Sequence, residues 1–246
     1  MLKRFLLFGL VLFLSTCGTP DVSTPAPTPE AIRVIYPAAF QPWVDKVANC
    51  ASNNPLIALY FIQSDTLDSN LLENDILLEL AESPQDIVDT NLFQVGWEQV
   101  IVVVNKDNQL SQLSNDDLKS IFSGQVSTWE NNSDQSIQVW VMPEGDPIRA
   151  IFDNAVMRTQ PLSSEAMLAP DPGAMVEAIS GDADSIGYLP RSFLNSADSA
   201  FASKVKILQL ESSLEAELHQ PVIAVTKNEP KGLLRDLLVC LQSITP

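Results

Sequence analysis

Catalytic side chains are sparse in this chain and do not stand in catalytic arrangements. His219 is the only histidine among the 246 residues, and it stands beside Gln220 and Pro221 at the start of a predicted strand. No Ser-His-Asp or Cys-His constellation can be assembled around it, and the sequence has no glycine-rich phosphate loop. Carboxylate pairs arise by chance among 31 acidic residues, so they do not indicate acid-base catalysis. We therefore expect a binding protein and not an enzyme.

The acidic side chains do not form a recognisable metal site either. Asp182 and Asp184 stand close together, and Asp134 precedes Ser136, but calcium requires more oxygen ligands in a patterned loop. We interpret both stretches as solvated loops. A single histidine also excludes a histidine-rich metal cluster, so we expect neither a metal nor a cofactor.

The balance of charge excludes another class of function. The chain has 31 Asp and Glu against 14 Lys and Arg, a formal net charge of −17. Nucleic-acid binding depends on cationic side chains that displace counterions from phosphates, so we expect no nucleic-acid partner. Apolar residues make up 46% of the chain and charged residues 18%, which is enough apolar material for a sizeable core.

The N-terminus has the pattern of an export signal followed by a lipidation site. Lys3 and Arg4 precede an apolar run from residue 5 to 14, which is too short for a permanent membrane span. The following Leu-Ser-Thr-Cys, which ends at Cys17, resembles the lipobox of bacterial lipoproteins, although Thr16 is an unusual residue before the cysteine. We expect residues 1–16 to be removed and Cys17 to be lipidated. The alternative is an ordinary cleaved signal in which Cys17 is incidental.

Residues 17–30 are predicted to be a tether. This segment has four prolines among Thr and Ser, a composition that favours extended backbone and cannot build a core. A spacer of this kind would hold a folded domain away from a membrane surface. A frayed terminus is the alternative interpretation.

From residue 31 onward, short apolar runs alternate with amphipathic stretches. Strands are predicted at residues 32–35, 56–62, 75–80, 100–104, 137–141, 185–189 and 221–225. Helices are predicted after residues 40, 114, 146 and 171 and from 233 to the end. Ser114 with Asp117 has the spacing of a capping box, and Asp146-Pro147 and Asp171-Pro172 each resemble an N-cap followed by a first-turn proline. This alternation predicts an α/β fold.

Three segments resemble the phosphate-type (PstS-like) periplasmic solute-binding proteins. Residues 113–124, LSNDDLKSIFSG, with Trp129 beyond them, are similar to the family's Leu-Thr-x-x-x-Leu-x-x-Ile-Phe-x-Gly…Trp segment. Ile186-Gly187-Tyr188 resembles its Ile-Gly-Tyr, and residues 220–227 resemble its closing stretch before a final helix. The resemblance implies a two-lobed type II binding-protein fold, each lobe a mixed sheet flanked by helices.

The same resemblance implies how the chain is divided. Lobe one would comprise residues 31–104 together with 191–246, and lobe two residues 105–190, with crossovers near Asn105 and Pro190. The ligand of such proteins lies between the lobes, which close around it.

The sequence departs from the family where phosphate would bind. The family's Gly-Ser-Ser/Thr turn after the first strand is replaced here by residues 36–39, Tyr-Pro-Ala-Ala. Its Ser-Gly-Thr at the start of a lobe-two helix is replaced by residues 146–148, Asp-Pro-Ile, and its preceding Arg by Met142. An aspartate N-cap occupies the donors that attract an anion, and proline removes an N–H. We therefore expect tight phosphate binding to be lost.

The resemblance nevertheless indicates which side chains would face the cleft. Asp75 falls where the phosphate binders have an acidic residue that accepts a hydrogen bond from the ligand, and Arg149 is the cation retained from their motif. Each has a structural alternative, as a strand-end and a helix-surface residue. The other candidates follow strands or precede a helix, and they could equally pack between the lobes or lie in solvated turns. The candidate ligand-binding residues are Tyr36, Gln63, Ser64, Asp75, Glu144 and Arg149.

Two further cysteines lie in the first and last predicted helices. In the implied topology both helices belong to lobe one, and an exported protein can retain a disulfide. We therefore predict a bond between Cys50 and Cys240. Two buried free thiols are the alternative.

Together these features predict an extracytoplasmic, lipid-anchored solute-binding protein at a bacterial cell membrane. Its partners would be a small solute of unknown identity, the permease of an ABC-type transporter, and the membrane through its lipid; we expect a monomer. The alternative is a sensor or scaffold lipoprotein of the same fold without a transport role. The sequence leaves open the ligand, its affinity and which membrane holds the anchor.

Overall fold

The computed structural model describes residues 28–64, 70–81, 90–129 and 132–244. The predicted signal, Cys17 and all but the last residues of the predicted tether lie outside these ranges. Within them, no helix is both long enough and apolar enough to cross a lipid bilayer.

The described residues form strands and helices that alternate along much of the chain. The strands are β1 (Glu30–Tyr36), β2 (Ile57–Gln63), β3 (Asp75–Leu80), β4 (Asn91–Asn105), β5 (Thr128–Trp129), β6 (Asn132–Ser136), β7 (Gln138–Val141), β8 (Met167–Leu168), β9 (Ser185–Pro190), β10 (Val205–Ile207) and β11 (His219–Thr226). The helices are α1 (Gln41–Ser52), α2 (Asn115–Phe122), α3 (Pro147–Phe152), α4 (Pro172–Gly181), α5 (Arg191–Ser196), α6 (Ser199–Ala202), α7 (Ser212–Glu217) and α8 (Gly232–Ile244).

One mixed sheet has the strand order β2-β1-β3-β11-β4-β9-β7-β8, with β10 also pairing with β4. Strands β1, β2 and β3 are parallel to one another, whereas β11 runs antiparallel to β3 and β4. The long strand β4 connects the two parts of the sheet: residues 91–99 pair with β11, and residues 100–104 pair with β9. The expected α/β fold with a mixed sheet and flanking helices is confirmed.

The three predicted helix starts are confirmed by their caps. Ser114 Oγ accepts a hydrogen bond from Asp117 N–H at 3.2 Å, and the Asp117 carboxylate accepts one from Ser114 N–H at 3.1 Å, which is a capping box. Asp171 accepts from Ala174 N–H at 2.8 Å at the start of α4. Asp146 caps α3, whose last turn continues into a π-helical turn over Asp153–Met157.

A buried carboxylate joins three elements where β4 changes partners. Glu98 Oε2 accepts a hydrogen bond from Trp43 Nε1 in α1 at 2.9 Å, and Oε1 accepts one from Ser192 N–H in α5 at 3.0 Å. The Lys46 ammonium lies 3.5 Å from the Trp43 ring centroid. Burial lowers the pKa of Lys46, although the charge of Glu98 acts in the opposite direction.

The prediction was incomplete between residues 190 and 219, where no element was expected. The structure has α5, α6, β10 and α7 there, each of three to six residues, too short to show a hydrophobic period in the sequence. Strand β10 pairs with residues 103–105 of β4, beside the β9 pairing. The lobe bounds of 31–104 with 191–246, and of 105–190, stay a prediction.

Helices α1 and α8 pack together and are joined covalently. The Sγ atoms of Cys50 and Cys240 are 2.04 Å apart, and the two residues are 190 positions apart in the sequence. Helix α1 packs on β1 and β2, and α8 packs on β4. The bond would therefore link the start of the folded chain to its end.

Candidate ligand-binding site

Three of the candidate residues lie together at the carboxyl ends of two neighbouring strands. Tyr36 ends β1 and is in register with Gln63, which ends the parallel strand β2. Ser64 follows, and its N–H donates to the Tyr36 carbonyl at 3.0 Å. In open α/β sheets, ligands bind beyond the carboxyl ends of the strands. Tyr36, Gln63 and Ser64 therefore lie at the end of the strands where a ligand would bind, and their role as ligand contacts stays a prediction.

The side chains of this group differ in how accessible they are. The Tyr36 ring is buried, packs edge-on against Phe61 and donates from its hydroxyl to Gln41 Oε1 at 3.2 Å. Gln63 is exposed and Ser64 is half-buried. Pro37 follows Tyr36 and has no N–H to donate to a ligand. Gln63 and Ser64 are therefore more accessible than Tyr36 at this end of the strands.

The second group of candidates lies in the turn between β7 and α3. Glu144 is exposed beside Gly145, whose φ of 92° lies in the region that favours glycine. Asp146 is buried, and its Oδ1 accepts hydrogen bonds from Ile148 N–H at 2.8 Å and Arg149 N–H at 3.3 Å. Pro147 supplies no N–H. The first-turn donors of α3 are therefore already satisfied by the chain itself.

Arg149 is positioned by interactions with residues close to it in the chain. Its Nε donates to Asp153 Oδ2 at 2.8 Å, one helical turn onward, and its Nη1 donates to the Met142 carbonyl at 2.7 Å. Only 19% of the Arg149 side chain is exposed. The guanidinium therefore stabilises the turn that contains Glu144, and it is not free to bind an anion with all of its donors.

Asp153 and Tyr188, which were not among the candidates, complete this cluster. Burial raises the pKa of Asp153, although the hydrogen bond and charge of Arg149 act to lower it. Tyr188 stacks on Phe152 with ring centroids 4.0 Å apart, and its hydroxyl accepts from Met142 N–H at 3.3 Å. Burial, and after it the negative charge of Asp153, raises the pKa of Tyr188 well above its usual value. The four-residue spacing of Arg149 and Asp153 was the signal in the sequence that could have identified their pair.

The structure does not bring Asp75 to either group. Asp75 begins β3 and is in register with Arg33, three residues before Tyr36 in the parallel strand β1. Its carboxylate accepts from Arg33 Nε at 2.8 Å and from Leu72 N–H at 2.6 Å, and it forms an ion pair with Arg33. Burial opposes ionisation, but these bonds and the charges of Arg33 and Lys227 outweigh it and lower the pKa of Asp75. Asp75 therefore stabilises the opposite end of the strands.

A polar cavity lies between the end of the α3 segment and the start of β11. It has a volume of about 270 Å³ and is lined by Asn154, Arg158, Glu217 and Gln220 among others. Arg158 Nη2 and Glu217 Oε2 are 2.6 Å apart across it. Arg158 has a φ of 58°, which is uncommon for a residue other than glycine. No sequence pattern indicated this pair, because the two residues are 59 positions apart.

The arrangement can bind a polar solute but shows no catalytic grouping. Gln63, Ser64 and Glu144 carry amide, hydroxyl and carboxylate groups, and the described residues show no paired nucleophile and base. Within those same residues, no cluster of three or more His, Cys, Asp or Glu side chains could hold a metal ion. The chemistry that these groups can perform is to donate and accept hydrogen bonds.

The comparisons with known proteins agree with this fold. Residues 79–243 match the model of a PBP superfamily domain, so the chain belongs to that superfamily. It is related to the phosphate-binding proteins of ABC transporters, and it resembles the phosphate-binding protein PstS of Bacillus subtilis with 28% identity over 164 residues. That match covers 64% of this chain and 53% of the relative, so the chain spans about half the length of the relative.

Two solved structures share the fold at low sequence identity. A Clostridium perfringens protein solved with bound phosphate has a TM-score of 0.73 at 15% identity, covering 86% of this chain and 93% of that one. An ABC-type phosphate transport receptor from Vibrio cholerae has a TM-score of 0.65 at 16% identity, covering 87% and 94%. These likenesses confirm the PstS-like binding-protein fold that the sequence motifs indicated.

Proposed function

We propose that this chain is an extracytoplasmic, lipid-anchored solute-binding protein that serves an ABC-type transporter and has lost most of the phosphate ligands of its relatives. The start of α3 is the main support for the loss of the phosphate ligands. Asp146 accepts hydrogen bonds from both available first-turn N–H groups, and Pro147 has none. A phosphate placed there would meet a carboxylate and no free donor.

The state of Arg149 supports the same conclusion. Its guanidinium donates to Asp153 and to the Met142 carbonyl, so part of its donor capacity is already used within the chain. On the other side of the proposed cleft, Pro37 lacks an N–H, and the two alanines that follow it have no polar side chain. Gln63, Ser64 and Glu144 remain, and we propose that they contact an uncharged or cationic solute.

A thermal-shift measurement tests the loss of phosphate binding. At about 1 mM phosphate, a site with a Kd of about 1 µM would stabilise the fold by about 4 kcal/mol. For a domain of this size, that corresponds to a rise in Tm of about 8–16 °C. We expect a rise of less than about 1 °C, equal to that caused by sulfate at the same ionic strength. A rise of several degrees that is specific to phosphate would contradict the proposal.

The same assay, extended to amino acids, sugars and cations, would identify the solute. A phosphate-binding relative measured in the same buffer serves as the positive control.

A role as a sensor or scaffold is the alternative, because a chain whose α3 donors are already used by Asp146 could serve with or without transport. Genes for a permease and an ATPase beside this gene would favour transport, and their absence would favour the sensor.

A further inference from the structure

The cavity between Arg158 and Glu217 has polar groups of opposite kinds on its two sides. Asn154 and Arg158 come from the end of the α3 segment and provide an amide and a guanidinium. Glu217 ends α7 and Gln220 lies at the start of β11, and they provide a carboxylate and a second amide. One side therefore carries a positive charge and the other a negative charge.

Much of the hydrogen-bonding capacity of the charged pair is unused within the described residues. Arg158 donates from Nη2 to Glu217 Oε2, and its Nε and Nη1 have no acceptor there. Glu217 Oε1 likewise accepts no hydrogen bond from the described residues. Arg149, in contrast, uses both its Nε and its Nη1 within the chain. Arg158 is therefore better able than Arg149 to bind an anionic group.

Gln220 adds an acceptor whose orientation is fixed. Its side chain is only 7% exposed, and its Nε2 donates to the Glu217 carbonyl at 2.9 Å. A carbonyl can only accept, so this bond identifies the nitrogen of the amide and leaves Oε1 as the other atom. Oε1 accepts no hydrogen bond from the described residues. Buried acceptors normally have a partner, and the cavity that Gln220 lines is where a donor can be bound.

The backbone at Arg158 has a conformation that favours glycine. Its φ is 58° and its ψ is −108°, and it is the second residue of a turn closed by Gln160 N–H to the Met157 carbonyl at 2.9 Å. These are the angles of a type II′ turn, in which glycine is preferred at that position. Sparsely populated conformations and π-helical turns are both concentrated at functional sites. The conformation therefore supports a function that requires the arginine side chain.

We propose that this cavity binds a small zwitterion of the α-amino acid class. The carboxylate of the ligand accepts from Arg158 and Asn154, and its ammonium group donates to Glu217 Oε1 and Gln220 Oε1. An α-amino acid carries both charged groups on one carbon, so they lie side by side, as the charges of Arg158 and Glu217 do. The existing ion pair stays intact, because the ligand uses donors and acceptors that the pair leaves unused.

Charge and volume define this class of ligand. A ligand with a single charge would meet a group of its own sign next to its partner, whereas a zwitterion satisfies both. The volume of about 270 Å³ equals that of about nine liquid waters, which suits a small amino acid and not a long peptide. Ile151 and Ala155 are buried and provide an apolar lining for a short side chain. The site is independent of the solute proposed for the strand ends and the β7–α3 turn.

Isothermal titration calorimetry of the purified protein with the twenty protein L-amino acids tests the ligand class. The charged groups are 54% and 44% exposed and are screened by water, so we expect a Kd of about 0.1 mM for at least one short amino acid. Analogues that lack one charge, propanoate and ethylamine in the case of alanine, should bind at least tenfold more weakly. If no amino acid binds below about 10 mM, the cavity holds water only and the proposal is overturned. Equal binding of a singly charged analogue would also overturn it.

Charge-removing variants test the location of the site. Arg158→Gln and Glu217→Gln each remove one charge and should raise the Kd for the amino acid about tenfold or more. Lys204→Gln is the matched control, because Lys204 forms an ion pair of the same length, 2.6 Å, with Glu177 and does not line the cavity. It should leave the Kd unchanged. Binding that is unaffected by Arg158→Gln would place the amino acid elsewhere and contradict the proposal.

Arg158→Gly separates binding from folding. Glycine adopts a positive φ without strain, which offsets its greater freedom in the unfolded chain, and an exposed ion pair adds little to stability. We therefore expect the Tm of the protein without amino acid to stay within about 2 °C, while binding of the amino acid is lost. A fall in Tm of several degrees would show that Arg158 serves the fold, and it would refute a binding role as the reason for this residue.

Discussion

Single carboxylates illustrate how a residue's role is decided by its neighbours. Asp146 accepts from two backbone donors at the start of α3, whereas Asp75 is paired with Arg33 at the other end of its strand. Both were considered for ligand binding or capping from the sequence. Only the cap at Asp146 could be predicted with its partner, because the donors to Asp146 lie two and three residues away. The partner of Asp75 lies 42 residues away.

The cap at Asp146 gives a prediction at the scale of one side chain. Asp146→Ala should remove two hydrogen bonds from the buried start of α3 and lower the free energy of unfolding by about 1–2 kcal/mol. Urea unfolding would measure the loss. Asp146→Asn is the matched control, because an asparagine side chain can cap in the same way. An equally large loss with Asp146→Asn would show that the negative charge, and not the cap, is what stabilises α3.

At the scale of elements, two long-range links hold the part of the fold that begins and ends the chain. Glu98 joins α1, β4 and α5 through hydrogen bonds, and the Cys50–Cys240 bond joins α1 to α8. The predicted helices containing the cysteines were correct, since both showed clear amphipathic periods. The role of Glu98 had no signal in the sequence, because an acidic residue in an apolar run indicates neither burial nor a partner.

The disulfide provides the prediction at this scale. The bonded residues are 190 positions apart, so the bond restricts a large loop of the unfolded chain. Replacing both cysteines by alanine should lower the free energy of unfolding by about 2–5 kcal/mol in urea titrations.

Intact-mass measurement after alkylation, with and without reductant, checks the bond directly. We expect Cys50 and Cys240 to be alkylated only after reduction. Two freely alkylated thiols in the oxidised protein would contradict the pairing, and the stability of the double alanine variant would then report only on packing.

The whole molecule is strongly acidic, and this charge affects which surfaces the protein can approach more than it affects the fold. Removal of residues 1–16 would take away two cations and no acids, so the mature chain would be still more negative than the −17 of the full sequence. A surface of this charge is repelled by anionic lipid headgroups. Retention at a membrane would therefore have to come from the lipid on Cys17, separated from the fold by the tether.

Membrane retention provides the prediction at this scale. In cell fractionation, the native chain should be found with membranes, and Cys17→Ser should move most of it to the soluble extracytoplasmic fraction. A Ser15→Ala variant serves as the control, since it keeps the cysteine that would be lipidated. A Cys17→Ser chain that remains on the membrane after a high-salt wash would argue against the lipid anchor.

Much of the fold was determined by the sequence alone, because the signals are local. Apolar periods marked the main strands and helices, and Ser114, Asp146 and Asp171 marked three helix starts within a few residues of the groups they cap. The order and spacing of the three motif segments along the chain were enough to indicate the binding-protein fold. The departures from the phosphate motif were also visible, since proline and alanine lack donors in any context.

Only the tertiary structure decided which of the candidate residues stand together. It brought Tyr36, Gln63 and Ser64 together at the carboxyl ends of β1 and β2 through the register of these strands. It also paired Arg149 with Asp153 and the Met142 carbonyl. It also placed β2 at the edge of the sheet with its apolar side chains exposed. Strand order and register depend on contacts between segments far apart in the chain, and no local pattern of residues encodes them.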